Sequence, residues 1–248
     1  MNDLDDAIRE FKDKCLNDRS FFNCELLKKL KNSFKDLECV LSKGTVMYRA
    51  RAFHNPKYGL YTRFLVYTHV ADEKDVANDP NVRIGDLVGF LGYNAQDSFV
   101  NPNKFTVGEG RCNYKFSPCL YAADSVHVAI SEIKPLVREI VSVAKIKNKK
   151  ELKLIDLRLC NNEWINALAM FFVQSPTLEN PDAYIYTQAI SAFVKKYKYD
   201  GIIYSSCQTF GGINYAIFNY EKCEAISSEL KCIANISYDV QKYILPVD

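Results

Sequence analysis

Arg111, Tyr121 and Glu132 stand ten and eleven residues apart in the stretch GEGRCNYKFSPCLYAADSVHVAISEIKP, residues 108–135. Brought together at one edge, these side chains can hold a phosphate, stack on a flat ring and stabilise a developing cation. A guanidinium grips oxyanions bidentately, and a fixed carboxylate favours positive charge forming beside it. That chemistry needs the segment to read strand, turn, helix. Cys119 to Ala123 is a short apolar and aromatic run, as a buried strand has. Asp124 or Ser125 can accept a bond from the free N–H groups of a following first turn. Val126, Ala129, Ile130 and Ile133 then recur at i, i+3, i+4 and i+7, one apolar stripe of a helix. Glu132 lies off that stripe, beside the predicted sheet.

A second candidate pair lies upstream. Residues 45–52 read as a strand, on which Arg49 and Arg51 are two apart and share a face. If that face lines a cleft, one of them can grip a pyrophosphate; the plainer alternative pairs one with a structural carboxylate.

Five blocks in order resemble the signature of the RES domain family: Met47-Tyr48-Arg49-Ala50-Arg51; Gly110-Arg111-x-Asn113 with Leu120-Tyr121-x-Ala123 and Ala129-Ile130-x-Glu132-x-x-Pro135; Tyr186-Thr187-Gln188; Asp200-Gly201-Ile202-Ile203-Tyr204-Ser205-Ser206; and Asn214-Tyr215-Ala216-Ile217-Phe218. The resemblance implies an α+β fold like that of the ADP-ribosyltransferases, with a mixed β-sheet core and flanking helices. It implies consumption of NAD, and the toxin half of a toxin–antitoxin pair. NAD is then a substrate rather than a cofactor, and a cognate antitoxin protein is an expected partner. On these positions Glu132 is the catalytic carboxylate, Arg49 and Arg111 hold phosphates, Tyr121 stacks on nicotinamide, and Asn214 is a polar support. One of Ser205 and Ser206 adds a hydrogen bond; adjacent strand residues face opposite ways, and the reading leans to Ser206. Arg51 is assigned to support. The family's Pro-rich element before the Gly-Arg motif is absent, so no contact is carried onto residues 53–107.

Cleaving the nicotinamide–ribose bond passes through an oxocarbenium-like state, as glycoside cleavage does. Nicotinamide leaves neutral, so no general acid is obligatory; no metal-ligand set is visible in the sequence, so metal-independent chemistry is expected. The acceptor can be water or phosphate. A mono-ADP-ribosyltransferase acting on a protein would use the same pocket, and a catalytically dead RES fold serving as an interaction module is the non-enzymatic alternative.

Composition narrows the field. Hydrophobic residues at 48%, charged residues at 25% and a net charge of +2 are ordinary for a globular protein and point away from general nucleic-acid binding. The polar, acidic start MNDLDDAIRE does not read as a signal peptide, and no apolar run approaches a membrane span, so a cytoplasmic protein is expected. Nine scattered cysteines without a CxxC pair, and three histidines, favour reduced thiols over a zinc site.

The rest of the chain is read for the elements that position the site. Residues 1–42 read as a helical hairpin, an accessory segment, with 43–248 as the NAD-consuming domain. Leu4, Ile8, Phe11 and Cys15 form one stripe; Leu26, Leu27, Leu30, Phe34, Leu37 and Leu41 form the other. Residues 140–146 and 152–157 read as a hairpin across a Lys-rich turn. Residues 161–173 and 183–197 read as helices, 201–206 and 214–219 as strands around a Gly211-Gly212 loop. From Cys223 onward short strands and a tail are expected.

Overall fold

A computed structural model of the chain describes residues 3–18, 20–52, 93–100, 104–158, 160–174 and 182–237. Two of the three histidines, His54 and His69, lie outside the described residues.

The chain begins with α1 (Asp3–Asp13), α2 (Glu25–Asn32) and the short α3 (Phe34–Leu37). Acidic Asp3, Asp5 and Asp6 sit in the first turn of α1, where the helix dipole favours them. Phe11, Leu26, Leu27 and Leu30 are completely buried, each contributing roughly 1.5–3 kcal/mol by removal from water. The helical stripe ends earlier than Leu41 predicts. Glu38 takes an extended backbone (ψ 120°), and Glu38–Leu41 is a strand, β1, paired with a later strand. An i, i+4 apolar spacing at Leu37 and Leu41 suits either state, and the sheet edge that β1 covers decides between them.

Among the described residues, seven further strands follow: β2 (Val46–Ala52), β3 (Leu120–Ala123), β4 (Ile140–Asn148), β5 (Leu152–Asp156), β6 (Gly201–Ser205), β7 (Ile213–Ile217) and β8 (Cys223–Cys232). Further helices are α4 (Val126–Glu132), α5 (Glu163–Val173) and α6 (Ala183–Lys196). Ser125 caps α4 by accepting from the Val128 N–H at 3.2 Å, and Asn162 caps α5 in the same way. The fold is α+β, an eight-stranded mixed sheet in the order β1-β5-β6-β7-β3-β2-β4-β8. Among the described strands only β5 and β6 pair in parallel, joined by the crossover that contains α5 and α6.

Two expectations change here. The strands β4 and β5 are not a hairpin: β4 pairs with β2 and β8, and β5 with β1 and β6. The Lys-rich turn instead carries the chain between distant parts of the sheet, as residues 42–45 do between β1 and β2. Buried Asn148 ties both crossings, donating from Nδ2 to the carbonyls of Leu41, Ser42 and Lys150. The stretch from Cys223 is one ten-residue strand paired along β4, with a bulge at Lys145/Ile146. Its polar Ser227, Ser228 and Glu229 break apolar alternation but not backbone pairing.

The sheet wraps on itself around Met47, Leu120, Ile146, Leu154, Ile203 and Ile217. On another side, the helices α1, α2, α5 and α6 share one core with Ile155 and Ile202, so the N-terminal helices pack into the same hydrophobic interior as the crossover helices. A third cluster seats α4 through Val128 and Ala129 against Ala50, Val141 and Val143. The halves of the sheet meet weakly: β2 and β3 share a single bridge, Tyr48 with Ala123. At that seam a cleft opens.

Candidate active site

A cavity of about 550 Å³ lies at the seam, a size ordinary for small-molecule sites. Arg49, Arg111, Tyr121, Glu132 and Asn214 all line it. These five residues span more than 160 positions of sequence and come from β2, a turn, β3, α4 and β7.

Glu132 ends α4, whose seating places its half-buried carboxylate over the ends of β6 and β7. One oxygen, Oε1, accepts from the Ser206 hydroxyl at 2.6 Å and from Asn214 Nδ2 at 2.7 Å. Bonds to a charged acceptor are the strong kind, and two on one oxygen fix the carboxylate plane while directing the other oxygen elsewhere. Ser206 is itself held: its Oγ accepts from the N–H groups of Gln208 and Thr209, both at 3.1 Å, which winds the loop after β6. Ser205, by contrast, is the last strand residue, paired with Ile213. Neither serine is part of the cavity wall, and Ser206 reaches the site through Glu132.

Arg49 and Arg51 take different paths despite sharing a strand face. Arg51 donates to the Asp97 carbonyl and lies over the Tyr93 ring at 4.1 Å, away from the cavity. Arg49 enters the seam, where Nη1 donates to the Tyr121 carbonyl at 3.4 Å and buried Nε has no partner among the described residues. No carboxylate pairs with it among those residues. Burial, with Arg51 adding a like charge, pulls its pKa down to about 10. A half-buried cation held without an anion loses solvation that nothing repays, and an anionic ligand would supply the missing partner.

Tyr121 lines the cavity, but its hydroxyl is committed elsewhere. It accepts from the Cys112 N–H at 2.7 Å and donates to Asn113 Oδ1 at 2.7 Å. Burial, then the nearby Cys112 and Cys119, push its pKa well up, so it remains a neutral donor. Arg111 is buried, donates from Nη1 to the Gln174 carbonyl and lies over the Tyr184 ring at 5.4 Å.

Lys134, Tyr48, Tyr184 and Tyr204 also line the cavity and carry no assignment from the sequence. A signal for Lys134 exists inside the Glu132-x-x-Pro135 block, where it adopts a left-handed backbone (φ 47°). Tyr184 has no local signal, because its role depends on where Arg111 ends. Among the described residues no group of three His, Cys, Asp or Glu is placed to hold a metal ion, and all nine cysteines are free thiols.

Fold and site together define an α+β protein whose cleft is lined by an oriented carboxylate, a buried arginine and a half-buried one. The RES domain family model matches residues 86–241, and the chain belongs to the RES domain family. Arg49 lies outside the matched stretch, so the cavity joins that stretch to the preceding strand. Among solved structures the chain is similar to one in the crystal structure of the M. tuberculosis MbcT–MbcA toxin–antitoxin complex, at 13% identity and a TM-score of 0.45. That similarity covers 84% of this chain and 95% of the other. No curated protein matches the sequence. No described helix is long and apolar enough to cross a membrane.

Proposed function

We propose that the chain breaks the bond between nicotinamide and ribose in NAD. The observation that carries this reading is the pairing, in one cavity, of Glu132 held through a single oxygen and half-buried Arg49 with no carboxylate partner among the described residues. The dinucleotide supplies what each lacks. Its pyrophosphate partners Arg49 and Arg111, and its ribose comes to the second oxygen of Glu132. When the C1′–N bond breaks, the electron pair leaves with neutral nicotinamide and the sugar becomes cationic. Glu132, already oriented, stabilises that charge without reorganising. Water, or phosphate oriented by the arginines, then attacks C1′, giving ADP-ribose or its 1″-phosphate; with water, one proton is released. The ring of Tyr121 forms part of the nicotinamide face. As the family resemblance implies, the protein acts as a toxin restrained by an antitoxin protein.

Incubation of purified protein with NAD, with and without phosphate and with a chelator, followed by product identification, tests the reading. Release of nicotinamide, unchanged by the chelator, is expected. Label from the ADP-ribose moiety retained on a protein would move the assignment to ADP-ribosyl transfer. NAD left intact under all conditions would refute it.

A further inference from the structure

We infer that Gln188 and the hydroxyl of Tyr121 are positioning groups for Arg111, acting through the turn that carries it; this rests on the reading above that Arg111 binds the dinucleotide phosphates. The turn Gly110–Asn113 closes with its own backbone pair, at 3.0 and 3.3 Å. Two such bonds would satisfy a turn of this length. Further bonds converge on it and its flanks. Gln188 Nε2 donates to the carbonyls of Gly110 at 3.0 Å and Asn113 at 3.2 Å. The Tyr121 hydroxyl takes the Cys112 N–H. Asn113 Nδ2 donates to the carbonyls of Gly108 at 2.9 Å and Tyr114 at 3.0 Å, while its Oδ1 receives the Tyr121 proton. The peptide groups on both sides of Arg111 are thus pinned from α6 and β3.

The same helix also meets the far end of the side chain. Tyr184 and Gln188 are four apart on α6 and so lie on one face. Gln188 holds the base of Arg111, and Tyr184 lies under its guanidinium. One rigid helix therefore gauges both ends of the arginine. Gly110 belongs to the device, because a Cβ there would stand 2.8 Å from both Asn113 Oδ1 and the Tyr121 hydroxyl. Gln188 and Asn113 are buried and stand outside the reacting groups, which fits positioning rather than contact with substrate.

Two variants test this from different sides. Gln188→Met removes both amide donors, and Tyr121→Phe removes only the hydroxyl while keeping the ring. The first readout needs no substrate: the Arg111 Nε–H resonance, assigned by its loss in Arg111→Lys, should shift or broaden in both variants, with thermal melting confirming the fold. The second readout is kinetic. Each variant should raise KM for NAD about tenfold with kcat nearly unchanged, and should add nothing when combined with Arg111→Ala. If Gln188→Met fails to fold, Tyr121→Phe carries both readouts. An Arg111 resonance unmoved in the folded variants, or losses that multiply with Arg111→Ala, would overturn the inference. A wild-type protein inert towards NAD would refute the proposed function alone, with the resonance still deciding the role of Gln188.

Discussion

Replacing Glu132 by Gln separates the charge of this side chain from its shape. The amide is nearly isosteric, and its carbonyl oxygen can keep both acceptances now made by Oε1, from Ser206 at 2.6 Å and Asn214 at 2.7 Å. A bond to a charged group is worth roughly 1.5–3 kcal/mol against 0.5–1.5 for a neutral one, so two bonds lose about 2 kcal/mol together. Relief from half-burying a carboxylate offsets part of this, leaving a net cost near 1 kcal/mol, or about 2–4 °C in Tm for a chain of this size. The catalytic loss is larger. A unit charge about 4 Å from a forming cation, at an effective dielectric of about 20, is worth roughly 4 kcal/mol, which is on the order of 10³ in rate. Loss of a single preorganised contact usually costs about 10²–10³. Glu132→Gln should therefore reduce kcat by that range while KM for NAD changes less than about threefold. Discontinuous measurement of released nicotinamide gives both constants, and melting gives the stability. In cells, the variant should be tolerated where the parent arrests growth. Turnover at the wild-type rate would show that the oriented carboxylate is not the group facing the cation, and the mechanism would fall with it.

Other outcomes follow from the same geometry. Ser206→Ala removes one of two donors to Glu132 and the acceptor for two loop N–H groups; kcat should fall about tenfold, with faster amide exchange at Gln208 and Thr209 as the accompanying sign. Arg49→Met removes a half-buried cation that has no carboxylate partner among the described residues; the ligand-free protein should gain up to about 1 kcal/mol in denaturant unfolding while calorimetry finds NAD binding lost. In Gly110→Ala the new methyl meets Asn113 and Tyr121; KM for NAD should rise about tenfold without a matching fall in kcat. For buried Asp200, burial raises the pKa, but bonds from Asn219, Lys222 and the Lys153 N–H outweigh it and hold the carboxyl below its usual value. Its stabilisation is present above the unfolded pKa and is lost as pH falls through the lower folded one. Asp200→Asn should therefore cost about 1–3 kcal/mol at neutral pH, and the difference from wild type should vanish in acid.

Elements governed by neighbours in sequence are legible in the order of residues. The cap at Ser125, the strand before it and the helix ending at Glu132 rest on contacts a few residues long, and so do α5 and α6. The candidate residues Glu132, Arg111, Tyr121, Arg49 and Asn214 are likewise marked by motif spellings, and all five line one cavity. Pairings between distant strands leave no comparable trace. Residues 140–157 carry every local mark of a hairpin, yet β4 and β5 find partners elsewhere because the sheet closes around Met47, Ile146 and Leu154. Residues 38–41 continue a helical stripe, yet the uncovered edge of β5 draws them into a strand.

The division is sharpest within the site. Sequence alone determined which side chains were available: two arginines on one strand face, two adjacent serines, and a tyrosine with a ring and a hydroxyl. Tertiary structure decided their use. Arg49 enters the cleft and Arg51 leaves it because β2 and β3 share only one bridge and part at that point. Ser206 reaches Glu132 because the strand ends one residue earlier, at Ser205, and the loop turns back over α4. The Tyr121 hydroxyl holds the Arg111 turn because a buried donor must find an acceptor, and Asn113 is within reach. Side-chain chemistry is a property of each residue, whereas burial, and the partners that burial demands, belong to the assembled chain.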